Sequence, residues 1–173
     1  YELTRGATWV IAADDSSPQS KEQADFVCDG TADDETIQLA LDTITSGDAY
    51  LLDGTYYIDD TVLLGSAVAT ANVKSLILSS GAILKPSADV NIIQMRRQSR
   101  LVGGTIDTTD MVWTSAAIFF DGADNLGHRD EFEFVRGINL IGIAGVDGAQ
   151  GTAIHMLADA ALAPGAPGAR TSS

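Results

Sequence analysis

The chain has 173 residues, and its 24 Asp and Glu residues outnumber the 10 Lys and Arg residues, giving a formal net charge of −14. This length suits one folded core, and the acidic balance argues against nucleic acid as a partner, because phosphate binding needs clustered Lys and Arg. No apolar run is long enough to span a membrane, so membrane insertion is not expected. The single cysteine, Cys28, excludes an internal disulfide and a Cys-rich zinc site.

The acidic composition is also poor in lysine, with only Lys21, Lys74 and Lys85. Such surfaces are typical of proteins from a high-salt cytoplasm, where salt screens the self-repulsion. A GC-rich genome, which favours Asp, Gly, Ala and Arg codons at any salt concentration, explains the same composition. Both interpretations, halophilic and genomic, stay open.

Residues 1–23 are predicted to form an N-terminal strand and a connector loop. The apolar run at 8–12 predicts the strand. Residues 14–23 are polar and include the breaker Ser16-Ser17-Pro18, so they are predicted to form a loop over the surface.

Residues 24–47 are predicted to form a turn and one capping helix. Asp29-Gly30 marks a tight turn, because Gly tolerates positive φ and Asp bonds the nearby backbone. Asp33 or Asp34 is the predicted N-cap, and Gly47 is placed to stop the helix. The apolar positions that follow recur at helical spacing: Ile37, Ala40, Leu41 and Ile44.

Residues 48–160 predict strands separated by Gly, Asp and Ser turns. Similar aliphatic clusters return after roughly 16 to 25 residues, a spacing typical of solenoid repeats. One short helix followed only by strands predicts a capped solenoid, with a β-sandwich as the alternative. Residues 161–173 are rich in Pro, Gly and Ala and predict a flexible linker.

Residues 27–58 carry a family resemblance. Asp29-Gly30, Asp33-Asp34, Ile37-Gln38 and Gly54-Thr55-Tyr56 follow one another in the order and spacing of a known pattern. The segment resembles the N-terminal part of the pectate-lyase-like, single-stranded right-handed β-helix proteins. The resemblance implies an all-β fold, a right-handed parallel β-helix, with the helix capping its open end. It does not choose among the lyases, hydrolases, epimerases and viral tailspikes that share this pattern.

Carboxylates near predicted strand ends are the candidate catalytic groups. Glycoside hydrolysis needs an acid and a base or nucleophile, and a lyase needs a base with a cation that stabilises the anion formed. The candidates are Asp107, Asp121, His128 and Asp130, with Asp110 close to the first. Asp after a strand is also ordinary turn chemistry, and His128 in a polar loop is also an ordinary solvated residue.

Trp113 and Arg129 are the candidate glycan-binding residues, the first for stacking on a sugar ring and the second for polar contacts. Trp9, Tyr56 and Tyr57 could also stack on sugars, although such aromatic residues more often pack in an interface or at the end of a core. No cofactor and no metal site are predicted. Two distant histidines and one cysteine have no ligand spacing, and the Asp pairs 14–15 and 59–60 lack the spaced oxygens of a calcium loop.

The predicted function is that of a virion-associated tail fibre or tailspike, at the virion surface. Its partners would be a host-surface polysaccharide and other virion structural proteins, and the segment alone is predicted not to cleave polysaccharide. The resemblance to viral β-helices implies a parallel homotrimer, with apolar side chains such as Phe119, Phe132 and Phe134 between the copies. The alternatives are a secreted polysaccharide lyase or glycoside hydrolase, and a non-catalytic cell-surface adhesin module.

Overall fold

The computed structural model describes residues 7–66, 73–120, 134–142 and 152–156. Within these ranges the chain forms two α-helices, α1 (Pro18–Gln23) and α2 (Asp33–Thr43). The strands are β1 (Ala7–Ala12), β2 (Phe26–Val27), β3 (Gly47–Leu51), β4 (Gly54–Ile58), β5 (Val62–Leu64), β6 (Lys74–Leu78), β7 (Ala82–Pro86), β8 (Ile93–Met95), β9 (Ser99–Val102), β10 (Thr105–Asp107), β11 (Ala116–Phe120), β12 (Phe134–Arg136), β13 (Asn139–Ile141) and β14 (Thr152–Met156).

The strands form three sheets, and all their pairings are parallel. The strand orders are β12-β9-β6-β3-β1-β2 in sheet one, β13-β10-β7-β4 in sheet two and β14-β11-β8-β5 in sheet three. From β3 onward the chain therefore visits the three sheets in the same order each time. We call each set of three successive strands a rung; the first rung is β3 to β5. This mostly β, parallel fold does not fit the antiparallel sheets of a β-sandwich.

Apolar side chains stack from rung to rung and form the core. In sheet two, Tyr56 pairs with Leu84 and Leu84 with Ile106, and all three are buried. In sheet three, Ile93 pairs with both Val62 and Ile118, which are also buried. Alternate residues of a strand face opposite sides, so each rung needs an apolar residue at the same positions. The recurring aliphatic clusters of the sequence are these stacked positions.

The spacing of paired positions lies inside the predicted range between Leu84 and Ile106 of sheet two, 22 residues apart, and at or beyond its upper end in sheet one. Ala49 pairs with Leu76, and Leu76 pairs with Leu101. The separation is larger between β9 and β12, which belong to successive rungs. The turns between strands therefore vary in length, while the paired positions keep their register.

The strand predicted at residues 8–12 is confirmed as β1, but the loop predicted at 14–23 is wrong in part, because Pro18–Gln23 forms α1. Ser17 is the N-cap, and its side chain accepts a hydrogen bond from the Ser20 amide, 3.1 Å away. Pro18 occupies the first turn, where its fixed φ suits a helix and its missing N–H costs nothing. The Ser17-Pro18 pair, which was interpreted as a breaker of regular structure, is therefore the start of a helix.

The helix predicted within residues 24–47 is confirmed as α2, although both predicted boundary residues are wrong. Its N-cap is Ala32, in the left-handed region at φ 47°, and Ala32 makes no side-chain capping bond. The helix ends at Thr43 with extended Ile44 as its C-cap, while Gly47 begins β3. Asp33 lies inside the helix and is buried, so its carboxylate interacts with another part of the fold instead of capping the helix.

Asp33 and three other side chains cover the strand edges of the first rung. Four side chains, which we call the edge cap, accept hydrogen bonds from backbone amides of the first rung and the turn after β4: Asp15 from Thr55 (2.7 Å), Asp33 from Tyr57 (2.9 Å), Asp34 from Asp59 (2.8 Å) and Gln38 from Leu63 (2.8 Å). Unpaired edge amides otherwise recruit another strand. The carboxylates of three Asp residues and the amide oxygen of Gln38 thus take the place of a neighbouring strand.

The apolar face of α2 lies in the core, as predicted. Ile37, Leu41 and Ile44 are buried in one cluster with Leu51 and Val62 of the first rung. The apolar spacing of α2 predicts that it covers the first rung around Leu51, Tyr57 and Val62. The contact with Tyr57 is wrong, because Tyr57 faces outward and is 40% exposed, while Tyr56 is buried. The Tyr56 hydroxyl donates to the Ile11 carbonyl at 2.9 Å, which satisfies its polar end inside the core.

Asp33→Asn should lower the free energy of unfolding by about 1–3 kcal/mol. One Asp33 oxygen accepts from Tyr57 N and the other from Gly30 N at 3.0 Å, so an amide group would point its own N–H at one of these donors. Urea unfolding measures the difference. Glu35→Gln, an exposed carboxylate in the same helical turn, is the matched control and should change little. Equal stability of the two variants would contradict the assigned role of Asp33.

Candidate functional site

The outer face of sheet two carries a groove of about 300 Å³, which we call the Lys85 groove. Its volume is at the low end of pockets that hold small ligands. The residues that matter for its chemistry are Tyr57, Lys85, Pro86, Asp107, Asp110 and Met111.

Strand register brings the groove residues together. Tyr57 of β4 pairs with Lys85 of β7, and Asp107 of β10 follows Ile106, which pairs with Leu84. Since the preceding residue in each strand is buried in the core, these three side chains share the outer face. An aromatic ring, an ammonium group and a carboxylate thus lie on neighbouring strands.

The Lys85 ammonium is paired with a carboxylate inside the groove. Lys85 Nζ donates to Asp110 Oδ2 and forms an ion pair with it. This hydrogen bond, with the charges of Asp110 and Asp107, raises the pKa of Lys85 above its ordinary value. Lys85 is therefore a stable cation at neutral pH.

Hydrogen bonds from the following turn keep the Asp107 side chain ionised. Its Oδ1 accepts from the Thr109 hydroxyl at 2.7 Å and from the Thr109 amide at 3.0 Å. These bonds lower the pKa of Asp107, and the charge of Lys85 adds to the effect. A general acid needs a raised pKa, so Asp107 is suited to accepting hydrogen bonds and not to protonating a leaving group.

A second concavity, of about 410 Å³, lies between α2 and β5 and is lined mainly by acidic and amide side chains. Asp34 and Gln38 already serve the edge cap, and Gln38 Nε2 also donates to Asp42 Oδ1 at 2.9 Å. In the part of the chain that the structure describes, no group of His, Cys, Asp or Glu side chains could hold a metal ion. We assign this concavity a structural role.

The predicted site residues have different outcomes. Asp107 lines the Lys85 groove together with Asp110. Trp113 is 3% exposed, and its Nε1 donates to the Val90 carbonyl at 3.0 Å, so the ring packs in the core and offers no face to a sugar. The other four candidates lie outside the described residues: Asp121, His128, Arg129 and Asp130.

Of the phenylalanines predicted between subunits, Phe119 is partly exposed and meets His155 edge-on at 5.4 Å between ring centroids. Phe132 lies outside the described residues, and only the backbone of Phe134 is described. The homotrimer stays a prediction.

Tyr57 was among the aromatic residues predicted to be able to stack on a sugar, whereas Lys85 is a groove residue that the sequence did not identify. Lys85 does carry a weak signal, because it is a charged residue near the end of an apolar run and one of only three lysines. Its position beside Asp107 depends on the register of β7 and β10, which the sequence alone does not specify.

No helix in the described ranges is long and apolar enough to span a membrane. Comparisons of the chain with protein-family models, with curated proteins and with solved structures find no match.

Proposed function

We propose that this chain is a right-handed parallel β-helix domain of a virion-associated attachment protein, of the tail fibre or tailspike kind. In this proposal it binds a host-surface glycan through the Lys85 groove. It works as a parallel homotrimer that docks on other virion structural proteins.

Three features support the β-helix. The chain visits three parallel sheets in a constant order, as a three-sided coil requires. Apolar residues stack in register inside the sheets. The edge cap covers one end, in line with the resemblance of residues 27–58 to pectate-lyase-like proteins.

The observation that carries glycan binding is the exposed Tyr57 ring beside Lys85 and Asp107. A sugar ring has apolar C–H faces and a rim of hydroxyl groups. Aromatic rings suit the faces, and charged groups form strong hydrogen bonds with hydroxyls. The groove offers both kinds of contact on a surface made of paired strands, which holds them rigidly.

Tyr57→Ala should weaken glycan binding at least about tenfold, or about 1.4 kcal/mol. The measurement is retention of the purified 173-residue chain on immobilised host-envelope polysaccharides, followed by titration calorimetry with the retained glycan. Tyr50→Ala, which removes a partly exposed tyrosine from β3 in sheet one, is the matched control and should bind normally. Unchanged binding by Tyr57→Ala, or no binding by the unaltered chain, would contradict the proposal.

Cleavage is the second candidate function, in a secreted polysaccharide lyase or glycoside hydrolase. One observation favours the lyase: a cation, Lys85, lies beside the carboxylates of Asp107 and Asp110, and a lyase needs a base and a positive charge. Incubation with polyuronates would then yield unsaturated products that vanish in Asp107→Asn. New reducing ends without unsaturation would indicate a hydrolase. The lowered pKa of Asp107 does not suit the general acid of a hydrolase.

A further inference from the structure

We infer that the Lys85 groove takes an uncharged, hydroxyl-rich saccharide and discriminates against acidic ones. The inference rests on the proposed glycan binding and specifies its ligand class.

The charges in the groove disfavour an acidic ligand. The groove holds two carboxylates, Asp107 and Asp110, and one ammonium group, Lys85. The ammonium is already bonded to Asp110. A uronate or sialate would have to displace Asp110 from Lys85, and its carboxylate would then face two like charges on a chain of net charge −14. Such like-charge contacts oppose binding.

The Asp107 carboxylate has room for further hydrogen-bond donors. Thr109 occupies only Oδ1 of Asp107, and Oδ2 accepts no hydrogen bond from the described residues. An ionised carboxylate accepts but does not donate, and its bonds to hydroxyls are short and strong. Neighbouring hydroxyl groups of a neutral sugar supply the donors that this oxygen lacks.

Apolar side chains form part of the wall of the groove. Tyr57 is 40% exposed, and Pro86 and Met111 add partly buried apolar surface. These groups match the C–H faces of a pyranose, as apolar walls with a few polar groups do in ligand sites generally. The volume of about 300 Å³ suits a short saccharide segment.

The experiment titrates the full chain with a panel of neutral polysaccharides (dextran, mannan and galactan), with polygalacturonate and with chitosan oligosaccharides, at low and high salt. We expect a neutral polymer to bind most tightly, with an affinity that salt changes less than twofold. Asp107→Asn should weaken that binding at least tenfold and strengthen binding of polygalacturonate. Glu22→Gln, which removes the same charge from an exposed position in α1, should change neither. Thermal unfolding verifies that each variant is folded.

Two results would overturn the ligand class while leaving glycan attachment intact. One is tightest binding of polygalacturonate that falls with salt and is lost in Lys85→Gln. The other is tightest binding of chitosan oligosaccharides. If the unaltered chain binds no member of the panel and no host glycan, the proposed function fails together with this inference.

Discussion

Replacing Leu41 with alanine should lower the free energy of unfolding by about 2–5 kcal/mol. Leu41 is 1% exposed and belongs to the cluster in which Ile37 and Ile44 pack with the first rung. Truncation removes apolar contacts and leaves a cavity between the helix and the sheets, which the paired strands cannot close fully. Urea unfolding monitored by circular dichroism measures the loss.

The matched control for Leu41→Ala is Leu39→Ala in the same helix. Leu39 is 54% exposed, so the same truncation there should stay within about 0.5 kcal/mol. Helix propensity changes equally in both variants, and their difference isolates packing. A loss below about 0.5 kcal/mol for Leu41→Ala would show that α2 is not packed on the first rung.

Gly103→Ala should cost about 2–5 kcal/mol, the sum of two separate effects. Gly103 has φ +77°, and a left-handed backbone costs an alanine about 1–2 kcal/mol. An added Cβ would also clash with the Leu78 carbonyl oxygen. That carbonyl cannot move freely because Leu78 is in paired strand β6, so overpacking adds about 1–3 kcal/mol.

Gly137→Ala separates the two effects. Gly137 has nearly the same conformation, φ +70°, but among the described residues the nearest atom to an added Cβ is Gly103 N at 4.0 Å. Only the strain of about 1–2 kcal/mol should remain. Equal losses in the two variants, measured by thermal or urea unfolding, would refute the close approach of the rungs at Gly103.

Sequence reasoning succeeded where one strong local signal decides the structure. The aliphatic clusters at 76–78, 83–84 and 101–102 lie in β6, β7 and β9, because an apolar residue on every second position must face a core. The helix at α2 followed from its apolar spacing. The start of this helix was predicted wrongly, because the Asp33 carboxylate accepts a hydrogen bond from the Tyr57 amide of β4 instead of capping its own helix.

The candidate site was less predictable because it depends on register. Asp107 could be named from its place at a strand end, and that placement is confirmed. Tyr57 and Lys85 belong to earlier rungs, and only the pairing of β4, β7 and β10 sets them beside Asp107. Trp113 was predicted to stack on a sugar ring. It is buried, and its Nε1 donates to the Val90 carbonyl, a contact that the sequence alone does not specify.

The edge cap makes the two ends of the stacked strands different from each other. Carboxylates already occupy the amides of Thr55 and Tyr57 on β4, so sheet two does not extend at this end by adding another strand. Two copies meeting at this end would bring their acids together and repel each other. Duplication of a whole rung is therefore tolerated only downstream of the first one, where each new strand meets a partner that matches it. Evolution can lengthen such a domain in one direction while the helix at its start stays unchanged.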